Sequence, residues 1–142
     1  MADVTISQLT NTIPTTDSIL PINKNGVTQS TTLAQLSSLP FIPKAWVKFN
    51  GVNMTIKSSF NVKSISRISR PAGTYRITFD TPMSNADYVV NVSSDTSTNN
   101  GFVMTYVQSP TVSTVEVAAG YQPYGTQNYY DSNNVYVVVY GN

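Results

Sequence analysis

The sequence predicts an all-β protein, a single antiparallel β-sandwich of jelly-roll or immunoglobulin-like type with an extended N-terminal arm. Ser, Thr and Asn are abundant, and Val and Tyr dominate the apolar residues, a composition typical of exposed sheets. From residue 44 onward, short alternating segments are separated by turn residues at intervals of roughly 8–12 residues, as in sandwiches. Before Phe41 there is no aromatic residue. We therefore expect an arm over residues 1–43 and a sandwich domain over residues 44–142.

The arm contains one predicted hairpin and two predicted helical turns. Asn25-Gly26, inside ILPINKNGVTQST, suits a tight two-residue turn because both positions accept positive φ. Thr5 in TISQLT and Thr32 in TLAQLS each precede a short segment that they could cap. So few elements cannot bury a core alone. Two interpretations stay open: a flexible leader, or an arm that becomes ordered on a partner surface.

The sandwich domain contains about eight predicted strands. AWVKFN alternates and turns at Asn50-Gly51, and FNVKSISRIS is predicted as one continuous segment. We expect Trp46 to anchor the core. Two further segments have clear inward faces. The predicted inward residues are Tyr75, Ile77 and Phe79 in the first, and Tyr88, Val90 and Val92 in the second.

The composition argues against an enzyme. Without cysteine or histidine the chain lacks thiolate nucleophiles, an imidazole base and the commonest metal ligands. The acids are scattered, and no glycine-rich phosphate loop is present. We therefore predict no catalytic residue, no cofactor and no metal site. The N-terminus has no signal-peptide pattern and no apolar run is long enough to span a bilayer, so no membrane partner is expected.

The charges are sorted along the chain. All eight cations lie between residues 18 and 79, and all seven acids lie outside this stretch. The cations fall on several predicted strands without interleaved aromatic residues, which argues against specific nucleic-acid binding. Basic and acidic halves could instead pair within one subunit or between subunits of a ring. The candidates for such inter-subunit contacts are Lys63, Arg67, Arg76, Asp80, Asp87 and Glu116.

A tyrosine-rich segment, GYQPYGTQNYYDSNN, occupies residues 120–134. Tyrosine with Asn, Gln and Gly makes an adaptable contact surface at modest entropic cost. It is therefore a candidate recognition loop, and the alternative is a packed loop that covers the end of the sandwich. The tyrosines concerned are Tyr121, Tyr124, Tyr129 and Tyr130.

Several segments resemble bacteriophage virion proteins. KAWVKFNG, IKSSFNVKSISR, GTYRITFDTPMSNADYVVNVSS and VYVVVYGN are similar to the distal β-domain of tailed-phage tail fibres and tailspikes. ISQLTNTIPTTDSILPINKNGVTQSTTLAQL resembles the leader of phage virion proteins, including cyanophage types. Together these segments cover nearly the whole chain.

The resemblance implies a non-enzymatic capsid cement, or decoration, protein on the virion surface. It would form a homotrimer on the outer shell, bind the major capsid protein and stabilise capsomer junctions, with adsorption to host-surface glycans as an additional role. A chain that consists only of an arm and a β-domain, with no shaft between them, favours this location. The residues expected to dock on the capsid are Ile6, Leu9, Ile13, Leu20, Ile22, Leu33 and Leu36.

The alternative keeps the fold and changes the place in the particle. A short tail-fibre or tailspike-tip adhesin would bind host glycans through the tyrosine-rich segment. Copy number per particle separates the two, because cement covers the shell and an adhesin sits at a single vertex.

Overall fold

A computed structural model divides the chain into two compact units, Met1–Leu39 and Pro40–Asn142. The division falls before the predicted boundary between residues 43 and 44. We call the described parts of these units the arm unit and the sandwich unit. The structure describes residues 15, 17–68, 72–95, 101–123 and 130–141.

The arm unit is a hairpin followed by one short helix. Strands β1 (Ile19–Lys24) and β2 (Val27–Thr32) pair antiparallel. Asn25 and Gly26 connect them with φ of 55° and 79°, so both turn residues adopt the left-handed conformation that a tight hairpin needs. The predicted hairpin and its turn are confirmed.

Helix α1 (Leu33–Ser37) begins where Thr32 was predicted to cap it. The Thr32 hydroxyl accepts a hydrogen bond from the Gln35 backbone N–H at 3.1 Å, and the Thr32 N–H donates to the Gln35 side chain at 2.9 Å. This reciprocal capping box satisfies two backbone donors at the start of the helix. The matching prediction for Thr5 lies outside the described residues.

The sandwich unit consists of strands that form two antiparallel sheets. The strands are β3 (Pro43–Phe49), β4 (Ile56–Phe60), β5 (Val62–Arg67), β6 (Thr74–Phe79), β7 (Val89–Ser94), β8 (Gly101–Gln108), β9 (Thr114–Pro123), β10 (Tyr130–Asp131) and β11 (Val135–Tyr140). The four-stranded sheet has the order β4-β3-β11-β7. The five-stranded sheet has the order β10-β9-β6-β5, and β8 pairs with β9 on the side opposite β6.

The core lies between these two sheets, so the predicted all-β sandwich is confirmed. Alternate residues of the central strands point inward and are fully buried, as the period of two requires. The Phe49 and Tyr75 rings meet edge to face, with centroids 5.0 Å apart. Buried residues contributed by the central strands are Ala45, Val47, Phe49, Tyr75, Ile77, Phe79, Val115, Val117, Ala119, Val135, Val137 and Val139.

Both predicted inward faces are confirmed. Tyr75, Ile77 and Phe79 are buried, whereas Arg76 points outward. Tyr88, Val90 and Val92 are partly buried and pack against the core.

The prediction that FNVKSISRIS forms one continuous segment is wrong, because the chain passes from one sheet to the other within it. Phe60 ends β4 in one sheet and Val62 begins β5 in the other. Asn61 between them has φ of 54°, and its side-chain amide donates to the carbonyls of Lys44 and Thr81 at 3.0 and 3.1 Å. Asparagine tolerates the left-handed backbone conformation, and the Asn61 side chain also binds the backbone of two other segments. These two properties explain why the chain crosses from one sheet to the other at Asn61.

Trp46 is not a core anchor, so that prediction is also wrong. Its side chain is 38% exposed and faces outward from β3, while Ala45, Val47 and Phe49 are buried. Side chains alternate along a strand, so Trp46 could be buried only if its two neighbours were exposed. The size of the indole ring does not override this parity.

Candidate binding surfaces

The arm unit presents an exposed aliphatic face. Leu20, Ile22 and Val27 share one side of the hairpin, because Leu20 and Ile22 alternate along β1 and Val27 lies opposite Lys24 in the register. All three are exposed, and none of the described residues of this unit is buried. We call these three residues the aliphatic face. Val27 was not among the predicted docking residues, although its pairing parity would have indicated it.

The other predicted docking residues have different positions. Leu36 is exposed on α1, and Leu33 is partly buried at the start of that helix. Ile6, Leu9 and Ile13 lie outside the described residues. The structure therefore brings Leu20 and Ile22 together on one surface, and Leu33 and Leu36 lie on the helix that follows.

Asp131 anchors the end of the tyrosine-rich segment to the sandwich. Its carboxylate accepts hydrogen bonds from the Tyr75 hydroxyl at 2.8 Å and from the Gly73 backbone N–H at 2.9 Å, and it forms an ion pair with Arg67. The Arg67 guanidinium also donates to the carbonyls of Gly51 and Val52 at 3.0 and 2.9 Å. The Asp131 carboxylate thus connects β10 with β5 and β6, and Arg67 extends the cluster to the turn after β3.

This anchor is mostly shielded from water. Burial raises the pKa of the Tyr75 hydroxyl, and its hydrogen bond to the Asp131 carboxylate raises it further. Gly73 has φ of +81°, and a Cβ built on it would lie 2.6 Å from the Gly120 Cα, so β9 approaches here too closely for any side chain. Sequence reasoning missed this cluster because Arg67 and Asp131 are 64 positions apart.

The predicted recognition tyrosines are only partly described. Tyr130 is exposed and begins β10, where it pairs with Tyr121 of β9. For Tyr121 the structure describes the backbone, and Tyr124 and Tyr129 lie outside the described residues. The choice between a recognition loop and a packed loop therefore rests on Tyr130, which is exposed.

Three of the predicted inter-subunit charges form ion pairs within the chain. Arg76 lies opposite Glu116 in the β6–β9 register, and its guanidinium donates to the Glu116 carboxylate at 2.6 and 3.1 Å. Arg67 pairs with Asp131. Lys63, Asp80 and Asp87 are exposed, and neither of the two ion pairs found among the described residues includes them. Arg67 on β5 and Arg76 on β6 therefore each pair with an acid of the same chain.

The outer side of the four-stranded sheet carries an exposed aromatic face, which we define as Trp46, Phe60 and Tyr136. Trp46 lies directly opposite Phe60 on β4, and Tyr136 lies opposite Lys48, whose ammonium is 5.2 Å from the centre of the tyrosine ring. Contiguous apolar surface of this kind is common at binding sites. No sequence prediction included it, because Trp46 was assigned to the core.

The described residues contain no cluster of metal-ligating side chains. Within the part of the chain that the structure describes, no group of three or more Asp, Glu, His or Cys side chains could hold a metal ion. No helix among the described residues has the length and apolar character needed to cross a membrane. The two exposed surfaces described above present aliphatic and aromatic side chains, which are suited to contact with a partner.

Comparison with known proteins does not assign the chain to a family. No protein-family model, curated protein or solved structure matches it. The assignment of function therefore depends on the surfaces described above.

Proposed function

We propose that this chain is a structural protein of a phage virion, a capsid cement protein that trimerises on the outer shell and stabilises capsomer junctions. The observation that carries the proposal is the aliphatic face of the arm unit. Leu20, Ile22 and Val27 are exposed on a unit whose described residues include no buried side chain. Transferring such side chains from water to a partner surface is favourable by about 25 cal/mol per Å² of apolar area.

The proposed partner of the aliphatic face is the major capsid protein. A protein that binds only the assembled shell stabilises it by its own binding free energy, through mass action. Three arms on one trimer raise the effective concentration of each contact, so that a small apolar face in each arm suffices. In this arrangement the sandwich units lie on the outside of the particle and supply no catalytic group.

The test is a pair of hairpin variants of the full chain. L20D/I22D places two carboxylates on the aliphatic face, and T28D/S30D places the same charges on the opposite side of the same hairpin. We expect L20D/I22D to weaken binding to purified capsids that lack this protein by roughly tenfold or more, which corresponds to about 1.4 kcal/mol. T28D/S30D should bind like the wild type. Equal binding by both variants and the wild type would exclude the aliphatic face as the docking surface.

A tail-fibre or tailspike-tip adhesin is the second candidate, and the aromatic face favours it. Exposed Trp and Tyr rings combine apolar contact with a polar rim, as recognition surfaces do. Host-surface glycans are the proposed ligand, with Trp46 and Tyr136 as platforms. Trp46→Ala should then abolish adsorption to host cells and leave particle attachment intact. Quantitative mass spectrometry of particles gives the location, because a few copies per particle indicate an adhesin and many copies indicate cement.

A further inference from the structure

Strand β8 forms an unprotected edge of the five-stranded sheet. Among the described residues it pairs only with β9, over its whole length from Gly101 to Gln108. In the described part of the chain, its second side therefore presents unpaired backbone N–H and C=O groups, which are a template for another strand. Eight residues is a long edge for a domain of this size.

Three side chains of β8 are exposed on the face where the side chains of its neighbour β9 are buried. Val107 lies directly opposite Val117 of β9 and shares its face, yet Val107 is 40% exposed and Val117 is 1% exposed. Val103 and Thr105 point to the same side as Val107 and are also exposed. The core therefore ends between β9 and β8, and the valines of β8 lie at an open margin.

The other sheet edges carry or adjoin charges. Strand β5, the opposite edge of the same sheet, contains Lys63 and Arg67, and β4 contains Lys57. Strand β7 lies between Asp87 and Asp95 in the sequence. By contrast, no charged residue occurs between Asp95 and Glu116, a stretch that includes all of β8. Charges are the usual protection of a sheet edge against pairing, and β8 has none.

We propose that the free edge of β8 pairs with a second copy of this chain. Every copy presents the same neutral strand, so identical side chains can meet across a symmetry axis without repulsion between like charges. Two copies of β5 paired in the same way would bring their Lys63 side chains together and repel each other. Pairing satisfies the free backbone groups and covers Val103 and Val107. A two-fold axis would join β8 to β8 in a dimer. This contact is separate from the trimer proposed on the capsid shell, and the inference does not depend on a role in a virion.

The experiment compares lysine substitutions on the two edges of the five-stranded sheet in the full chain. Thr105→Lys adds a charge at an exposed position near the middle of β8, and Ser64→Lys adds the same charge at an exposed position of β5. Masses are measured by sedimentation equilibrium over a concentration series. We expect a dimer for the wild type and for Ser64→Lys, and the monomer mass for Thr105→Lys. An equimolar mixture of Thr105→Lys and Thr105→Glu should recover the wild-type mass.

Several results would overturn the proposal. These are a monomeric wild type at its highest soluble concentration, a Thr105→Lys variant with the wild-type mass, or equal loss of mass in both lysine variants. If Thr105→Lys does not fold, as circular dichroism would show, the wild type alone supplies the test by amide hydrogen exchange. Amides of residues 101–108 should exchange more slowly as the protein concentration rises, and those of 62–67 should not. Concentration-independent exchange in both strands would reject the inference.

Discussion

The arm unit and the sandwich unit place their apolar side chains in opposite environments. In the sandwich unit, two sheets face each other and bury residues such as Phe49, Tyr75 and Val117 completely. In the arm unit, a hairpin and a five-residue helix leave Leu20, Ile22 and Val27 exposed. A hairpin has no second layer to cover it, and two strands are marginal in water by themselves. The sandwich thus carries the stability of the chain, and the arm keeps its apolar surface available for contact.

The largest expected effect is a cavity in the sandwich core. Phe49→Ala removes a fully buried ring that packs edge to face on Tyr75, and should lower the free energy of unfolding by about 3–5 kcal/mol. Val27→Ala in the arm unit, the matched control, should change it by less than about 0.5 kcal/mol because Val27 is exposed. Guanidinium denaturation followed by far-ultraviolet circular dichroism measures both. Comparable losses would contradict the contrast between the units.

The Asp131 anchor should rank second. Asp131→Ala leaves the Tyr75 hydroxyl and the Gly73 N–H, which belong to buried residues, without their acceptor, at a cost of about 2–3 kcal/mol. Glu116→Ala also breaks an ion pair with an arginine, but the Arg76 side chain is 51% exposed, so the cost should be only about 0–1 kcal/mol. Equal denaturation midpoints for the two variants would show that the Asp131 cluster contributes no more than a surface pair.

Removal of a single hydroxyl from the same cluster should have a smaller, pH-dependent effect. Burial raises the pKa of Tyr75 above its ordinary value of 10.0, so the folded protein retains a proton that the unfolded chain releases as the pH rises above 10. This contribution to stability is complete below pH 10 and is lost above it. Tyr75→Phe should cost about 1 kcal/mol at neutral pH and make stability fall less steeply at alkaline pH.

Stability curves of wild type and Tyr75→Phe between pH 7 and strongly alkaline pH supply the measurement. Burial also raises the pKa of Tyr88, but that residue is present in both proteins, so the difference between the curves isolates Tyr75. Parallel curves would mean that Tyr75 is not protonated preferentially in the folded state.

The smallest expected effect on the whole chain comes from the helix cap of the arm unit. Thr32→Ala removes the hydroxyl that accepts from the Gln35 N–H and should destabilise α1 locally by about 1 kcal/mol. The unfolding midpoint of the chain should not move, because none of the described arm residues contributes to the buried core. Hydrogen exchange should become faster at residues 33–38 and stay unchanged in β3 and β6. Faster exchange in β3 as well would weaken the contrast.

Local patterns in the sequence predicted much of the fold. Asn25-Gly26 predicted the hairpin turn because turn chemistry is a property of two adjacent residues, and the alternation around Tyr75 predicted a buried face because strand parity is local. Trp46 shows how strand parity can be misread. The alternation in AWVKFN allows either Trp46 or its neighbours Ala45 and Val47 to face the core, and the prediction chose Trp46 because its ring is larger. Asn61 shows a second limit, because a single residue in the left-handed conformation separates two strands that read as one.

The binding surfaces were less predictable for a different physical reason. Asp131 acquires its partners from β5, from β6 and from Gly73 just before β6, all distant from it in sequence, so its cluster exists only after the sheet has assembled. The exposure of the β8 edge depends on which strands lie beside β8 in the sheet, and the composition of the sequence does not determine strand neighbours. Leu20 and Ile22 could be identified because they alternate within one strand, whereas Val27 required the hairpin register.

The outward position of Trp46 has a spectroscopic consequence. It is the sole tryptophan of the chain, so the intrinsic indole fluorescence reports on the outer side of the four-stranded sheet. Its emission should lie further to the red than that of a buried indole and should change only modestly on denaturation. A ligand or partner that covers the aromatic face should shift the emission to the blue, and one that binds elsewhere should not. The protein thus carries its own optical label on one surface.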